Sequence, residues 1–243
     1  MEVDTRSRGL FRSSRTDSGK DDVYLPVGVH AATSYLAVKR ILDVIISLSA
    51  IVLLSPLLLL ISLIIKLDSR GPVLYRRRVV AQNGHSPHST GPETVSTFDA
   101  FKFRTMSPDA DDLLASDPEL LREYYKNFKL DQDPRITRIG QFLRTSNLDE
   151  LPQFFNVLLG QMSVVGPRII TPPEIEKYGE KATALLSVRP GMSGLWQVRR
   201  ESDHSYQKRV KLDMIYIRTR NTWLDIKIIF QTIVLATGRR GSG

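Results

Sequence analysis

Asp149 and Glu150 stand side by side in the stretch Arg144-Thr-Ser-Asn-Leu-Asp-Glu-Leu-Pro-Gln-Phe-Phe-Asn-Val-Leu-Leu-Gly160. Asn147 followed three residues later by Glu150 matches the capping-box pattern. Pro152 is tolerated in a first helical turn and Gly160 suits a helix end. The acidic pair is therefore expected in the first turn of a helix, where the macrodipole and free backbone N–H groups hold carboxylates ionised. An ionised carboxylate placed there can attack phosphorus or bind a hard cation. Alone, the pair has an ordinary explanation, because acidic residues punctuate many helix starts.

Its company points further. Arg135, Arg138, Arg144, Arg168 and Arg189 interrupt segments rich in glycine and proline, among them Val165-Gly-Pro-Arg168 and Val188-Arg-Pro-Gly-Met-Ser-Gly194. A planar guanidinium on a rigid turn binds the oxygens of a pyrophosphate in fixed geometry. Residues 98–106 alternate as a strand does, which puts Lys102 and Arg104 on one face. His85 and His88 lie in a stretch of Ser, Thr, Gly and Pro and read as a loop pair, not a metal site. The absence of cysteine excludes a disulfide, a thiolate zinc site and a cysteine nucleophile.

The elements that must hold these groups begin with an apolar run. Residues 41–65 carry one charge, Asp43. At about 1.5 Å per residue the run covers roughly 37 Å, enough for a bilayer core of about 30 Å. Pro56 removes a backbone donor inside it, and the neighbouring Ser55 hydroxyl can take the freed carbonyl, so Ser55-Pro56 is a bend point. Lys39 and Arg40 precede the run; Lys66, Arg70, Arg76, Arg77 and Arg78 follow it. Two basic flanks favour a re-entrant hairpin with both ends on one face, while a kinked spanning helix stays open on the same residues. A buried core helix fits less well, since 25 nearly uncharged residues exceed what a domain of this size encloses.

Before the run, residues 1–38 read as a polar, disordered tail. The run lies too far along the chain to be the h-region of a signal peptide. After it come a short strand at 73–75, a flexible loop at about 81–97, the strand at 98–106, a helix at 118–130 and a helical stretch from 136 to about 144. The amphipathic stretch 223–235, opened by Trp223, is a candidate interfacial helix, with a core helix as the other reading. A formal charge of +8 and a pI near 9.8 call for an anionic partner: nucleic acid, acidic lipid or a phosphorylated substrate. No nucleic-acid-binding motif is present.

Read together, the motifs resemble the bacterial sugar transferases, the monotopic phosphoglycosyl transferases that begin polysaccharide assembly on undecaprenyl phosphate. The resemblance covers residues 39–240. It is carried in family order by Lys39-Arg40-Ile-Leu-Asp43, Ser55-Pro56, Gly71-Pro-Val-Leu-Tyr75, Phe101-Lys-Phe-Arg-Thr-Met106 and Asp133-Pro-Arg-Ile-Thr-Arg-Ile-Gly140. Leu148-Asp-Glu-Leu-Pro-Gln153, Met162-Ser-Val-Val-Gly-Pro-Arg168, Arg189-Pro-Gly-Met-Ser-Gly-Leu-Trp-Gln-Val198 and Leu212-Asp213 continue the series.

The resemblance implies that Ser55-Pro56 breaks a re-entrant membrane helix, and that Asp149 is the covalent nucleophile. It also implies that Glu150 binds Mg²⁺ and that Arg144 binds phosphate. The family's Pro-Arg-Pro turn contributes to nucleotide binding and here reads Pro167-Arg168-Ile169, without the second proline. Larger members carry spanning helices and a further domain ahead of the catalytic part, so a short form is expected here.

The expected architecture is α+β and mainly helical: a re-entrant membrane helix at 39–66, then a compact cytosolic catalytic domain at 67–243 with interfacial amphipathic helices. The expected reaction moves a sugar-1-phosphate from a UDP-sugar to polyprenyl phosphate at the cytoplasmic face of a bacterial inner membrane. Magnesium assists, with Lys102, Arg104, Arg144, Arg168 and Arg189 on the substrate's phosphates and nucleotide. The partners expected are the UDP-sugar, the polyprenyl phosphate and membrane lipid, with no nucleic acid and with homo-oligomerisation open. The rival reading is a non-enzymatic, membrane-anchored protein that binds acidic lipid or nucleotide ligands.

Overall fold

A computed structural model describes residues 32–82, 95–127, 130, 133–199 and 205–238. The expectations for residues 1–31, for the loop between 83 and 94, and for His30, His85, His88 and His204 lie outside the described residues. Helix α1 spans Thr33–Asp68 and leads into an antiparallel ribbon of β1 (Leu74–Val80) and β2 (Thr97–Phe103). Helices α2 (Ala110–Ser116), α3 (Pro118–Asn127), α4 (Arg138–Thr145) and α5 (Gln153–Leu158) follow. Strand β3 (Ser163–Val165) pairs in parallel with β4 (Gly191–Ser193) across a 3-10 segment, Pro172–Lys181, and α6 (Ala182–Leu186). Helices α7 (Leu195–Val198), α8 (Tyr206–Thr219) and α9 (Thr222–Gly238) close the described chain. The order is α+β and mainly helical, as expected.

The core joins both ribbons to α8 and α9. Phe98, Val157, Met162, Leu212, Tyr216 and Ile228 are buried almost completely in one cluster. A second, smaller cluster packs Ile61 and Ile65 of α1 against Phe103 and Leu143.

Helix α1 begins at Thr33, ahead of the boundary at 39, and continues to Asp68. The polar-tail reading therefore ends too late, because Tyr35 is already engaged: its hydroxyl donates to Asp225 Oδ2 at 2.9 Å. The charges at the base of α1 are paired with the rest of the fold. Lys39 Nζ donates to Asp225 Oδ2 and to the Val165 carbonyl, both at 2.8 Å. Arg40 caps the end of α5 through the carbonyls of Val157 (2.7 Å) and Leu158 (2.8 Å), groups that the helix leaves without internal partners. Asp43, the one charge in the apolar run, accepts from Ser163 Oγ (3.0 Å) and from the Val164 N–H (2.9 Å).

Pro56 lies inside α1. The carbonyl it leaves without an α-helical donor is that of Val52, four residues earlier, and Ser55 Oγ donates to it at 2.8 Å. The compensation expected from the sequence is present, and helical structure runs through the pair. Beyond the base, Ile45, Leu48, Val52, Leu53, Leu59 and Leu60 are all more than half exposed. Both ends of α1 thus touch the domain while its middle is bare and apolar.

The first strand is longer than the expected 73–75. It takes in Arg76, Arg77 and Arg78, since the ribbon lets long cations lie over neighbours: Arg76 sits 5.9 Å above the Phe101 ring, and Arg78 pairs with Asp99 at 3.1 Å. Helix α9 packs one face into the core and leaves the other exposed. Ile228 is fully buried, whereas Trp223, Ile226, Phe230 and Ile233 form an exposed apolar stripe with Trp223 75 % accessible.

Candidate active site

The acidic pair is held by a different local structure from the expected one. Helix α4 ends at Thr145, and Asn147 adopts a left-handed conformation with φ 55° and no side-chain cap. No capping box forms. Residues Leu148–Glu150 make a single 3-10 turn, and α5 starts only at Gln153. Proline explains this. An α-helical turn opening at Leu148 would need the N–H of residue 152 to reach the Leu148 carbonyl; Pro152 has none, so the Leu151 N–H takes that carbonyl at 3.3 Å. Gly160 ends α5 at φ 80°, as its position in the sequence suggested.

The two carboxylates consequently differ. Asp149 is buried, 7 % exposed, and burial pushes its carboxyl above the usual range, with Glu150 adding to the rise. Lys102, whose Nζ is 3.9 Å from Oδ2, and Arg144 act against the shift. Burial also opposes charge on Glu150, but Lys102 Nζ donates to its Oε1 at 2.5 Å and, with Arg168 and Arg77 nearby, draws its carboxyl below the ordinary value. A helix end holding both groups ionised is replaced by one lysine that serves the two unequally.

The structure sorts the expected cations into two groups. Lys102 and Arg168 line one cleft with Glu150, Gln153, Met192 and Gln197. Arg144 Nε donates to Thr105 Oγ1 at 2.9 Å and its charge acts on Asp149. The turn Pro167-Arg168-Ile169 is kept without its second proline, because the Gly191 N–H donates to the Pro167 carbonyl at 2.8 Å. A Cβ on Gly191 would stand 2.1 Å from the Gly166 nitrogen, so this close crossing requires glycine. Behind the turn, Asp213 accepts from the Arg168 N–H (3.4 Å) and from Tyr178 Oη (2.8 Å), and burial raises its carboxyl to about 6.

Two residues expected on the substrate are elsewhere. Arg104 is 8 % exposed, and its guanidinium donates to the carbonyls of Ser69 and Arg70 at 2.7 Å each and to Ser69 Oγ at 2.8 Å. It closes the C-terminal end of α1: its backbone N–H still donates to the Val73 carbonyl at 2.8 Å, and its side chain is taken up by the turn that joins α1 to β1. Arg189 feels Arg40 and Asp43, at the base of α1 and not at the cleft. Arg135 is paired with Asp133 through two bonds of 2.8 Å. Ser55 and Pro56 lie on the exposed middle of α1, within continuous helix.

Sequence reading missed Arg77, Gln153 and Gln197. Arg77 looked like part of a basic flank to the apolar run; the ribbon register Tyr75↔Lys102 and Arg77↔Ala100 makes it a diagonal neighbour of Lys102 on the same face. Among the described residues there is no group of three or more His, Cys, Asp or Glu side chains that could hold a metal. Mg²⁺ does not need one, since it commonly takes one or two carboxylates together with substrate phosphates and water. Glu150 and the amide oxygens of Gln153 and Gln197 are side-chain oxygens on this cleft.

The profile of the family described as bacterial sugar transferase matches residues 34–239, most of the chain. An uncharacterized sugar transferase of Haemophilus influenzae is 41 % identical over 216 residues, covering 87 % of this chain and 43 % of that protein. The undecaprenyl-phosphate galactose phosphotransferase of Salmonella typhimurium is 38 % identical over 208 residues, covering 84 % of this chain and 41 % of that one. The exopolysaccharide production protein ExoY of Rhizobium meliloti is 39 % identical over 208 residues, covering 84 % of this chain and 87 % of its own. The chain thus spans less than half of the first two relatives and most of the third. On the profile match and these identities, the chain belongs to the bacterial sugar transferase family.

Proposed function

We propose that the protein transfers a sugar-1-phosphate from a UDP-sugar to a polyprenyl phosphate such as undecaprenyl phosphate, through a covalent intermediate on Asp149. The observation that carries this reading is the buried Asp149 carboxyl facing Lys102 and Arg144, at the edge of a cleft that also presents Arg77 and Arg168. Asp149 Oδ attacks the phosphorus that bears the sugar, the bond from that phosphorus to the bridging oxygen breaks, and UMP leaves. An oxygen of the lipid phosphate then attacks the aspartyl phosphosugar, the phosphorus–Oδ bond breaks, and the carboxylate is regenerated. The bond from anomeric carbon to oxygen survives both steps, so anomeric configuration is retained.

Arg77, Lys102 and Arg168 bind the pyrophosphate, and Arg144 stands against the developing charge beside Asp149. Glu150 is the carboxylate that would hold Mg²⁺, which when bound supplies charge neutralisation on the pyrophosphate. The names of the relatives support the sugar and lipid classes, with galactose in one and glucose in another.

Incubated with a panel of UDP-sugars in detergent and without lipid, the protein should release about one UMP per chain, and its mass should rise by one sugar phosphate. Added lipid phosphate should discharge the adduct, and initial rates should follow ping-pong kinetics. A chain that only binds acidic lipid or nucleotide would release no UMP. Intersecting double-reciprocal lines with no adduct would mean direct transfer.

The acceptor's phosphate lies at a membrane surface, and the reading places the protein there. The bare middle of α1 enters one leaflet of a bacterial inner membrane and bends at Ser55-Pro56, so that both ends return to the cytoplasmic face. The exposed stripe of α9 rests at headgroup depth. The apolar arms, residues 41–54 and 56–65, are roughly 21 Å and 15 Å long, and each falls short of a core of about 30 Å. Single cysteines at residue 34 and residue 90 should therefore both label from the cytoplasmic side alone. Labelling of residue 34 from the opposite side would show a spanning helix.

A further inference from the structure

Gln153 is 1 % exposed, it lines the cleft beside Glu150, Lys102 and Arg168, and neither its Nε2 nor its Oε1 has a hydrogen-bond partner among the described residues. A buried amide left open on both atoms is costly, and native structures rarely keep one without use. Gln197 lines the same cleft; its Nε2 donates to the Met192 carbonyl at 2.9 Å, and its buried Oε1 is likewise open.

The open atoms define what would satisfy them. The cleft already holds three cations for phosphate oxygens: Arg77, Lys102 and Arg168. A bare phosphate offers acceptors only, so it could satisfy the Gln153 Nε2 donor but neither of the two open carbonyl oxygens. A ligand with an acceptor next to hydroxyl donors satisfies all three. A sugar phosphate is such a ligand, with only phosphorus, the bridging oxygen, C1 and C2 between a phosphoryl oxygen and the nearest ring hydroxyl.

We propose that Gln153 binds the sugar-phosphate end of the donor: Nε2 donates to a phosphoryl oxygen while Oε1 accepts from a sugar hydroxyl, with Gln197 Oε1 accepting from a second hydroxyl. This assignment rests on the transferase reading and adds the residues that recognise the sugar. It also explains why the amide stays unsatisfied in the free chain, where the missing partner belongs to the substrate. Polar groups built for a hydroxyl discriminate strongly, because an analogue lacking it leaves them buried and unpaired.

The test uses the full-length protein and compares wild type with Gln153→Met, which keeps the volume and removes both polar atoms. Binding of UDP and of the UDP-sugar that the wild type turns over is measured alongside thermal unfolding without ligand. The melting temperature of Gln153→Met should be no lower than that of the wild type, since an unpaired amide is being removed. Affinity for the UDP-sugar should fall roughly 10-fold more than affinity for UDP. Gln153→Glu, which keeps the shape and an acceptor but loses the Nε2 donor, should instead weaken UDP and the UDP-sugar alike, because both carry the phosphoryl oxygen that the donor holds.

A lower melting temperature with the ratio of affinities unchanged would make Gln153 a structural residue and overturn the proposal. Equal losses for UDP and UDP-sugar in Gln153→Met would overturn it too, by removing the sugar hydroxyl from the amide's partners. Should the wild type bind no UDP-sugar at all, the transferase reading itself fails; should it bind one that Gln153→Met and Gln153→Glu bind equally well, only this assignment fails.

Discussion

Asp149→Asn should reduce UMP release and sugar-phosphate transfer by roughly 10³-fold or more while leaving the fold intact. The amide fills the carboxyl's volume but is a poor nucleophile, so the adduct expected in the wild type should be missing from the variant's mass. Stability should not suffer, because burial already disfavours the charged form of Asp149. The sign follows from the raised carboxyl. Stability tied to a neutral Asp149 is complete below the unfolded value of 3.8 and is lost as pH rises through the higher folded value. Wild type and Asp149→Asn should therefore melt alike in acid, with the variant gaining as pH approaches neutrality. The wild-type rate moves the other way, falling on acidification before an exposed aspartate would titrate. Residual transfer above a few per cent in Asp149→Asn would remove the nucleophile from this position.

Arg104→Met is expected to destabilise the protein by about 2–4 kcal/mol without changing the Michaelis constant of whatever protein remains folded. The guanidinium holds the carbonyls of Ser69 and Arg70 and the Ser69 hydroxyl, where α1 turns into β1. Removing it leaves those carbonyls with no replacement from a methionine. Arg104→Lys should recover little, since one ammonium cannot reproduce the fork. Chemical unfolding in detergent, set beside Michaelis constants for the UDP-sugar, separates the two roles: an unchanged midpoint with a raised Michaelis constant would return Arg104 to the substrate.

Those residues show where sequence reading succeeded and where it stopped. The apolar run, the serine rescue of Pro56, the glycine end of α5 and the second strand were all legible, because each depends on residues within one turn or one alternation. The pairing of Lys102 with Glu150 was not, since it joins β2 to the 3-10 turn and no local pattern encodes it. Nor was the fate of Arg104. It was read on one face with Lys102 by alternation, but the carbonyls where α1 turns into β1, distant in sequence, capture its guanidinium. The capping box failed for a related reason: its residue types were right, and the missing N–H of Pro152 sets a tighter turn. Gln153 carried no signal by type, and only its burial beside charged neighbours marks it.

The bonds at the base of α1 bear on how this protein can be taken apart. Lys39, Arg40 and Asp43 meet Asp225, the end of α5 and the start of β3, so the greasy helix is a structural member of the fold and no detachable tether. Trimming it to obtain a water-soluble form would remove Lys39 and Tyr35 from buried Asp225, leaving it Tyr216, and would take Arg40 from the carbonyls of Val157 and Leu158 in the same cut. Grafting a foreign anchor in its place would succeed only if positions 39, 40 and 43 travelled with it, or if their counterparts at 157–165 and 225 were exchanged together. Over evolution the two halves are then expected to change in step, inherited as one cassette.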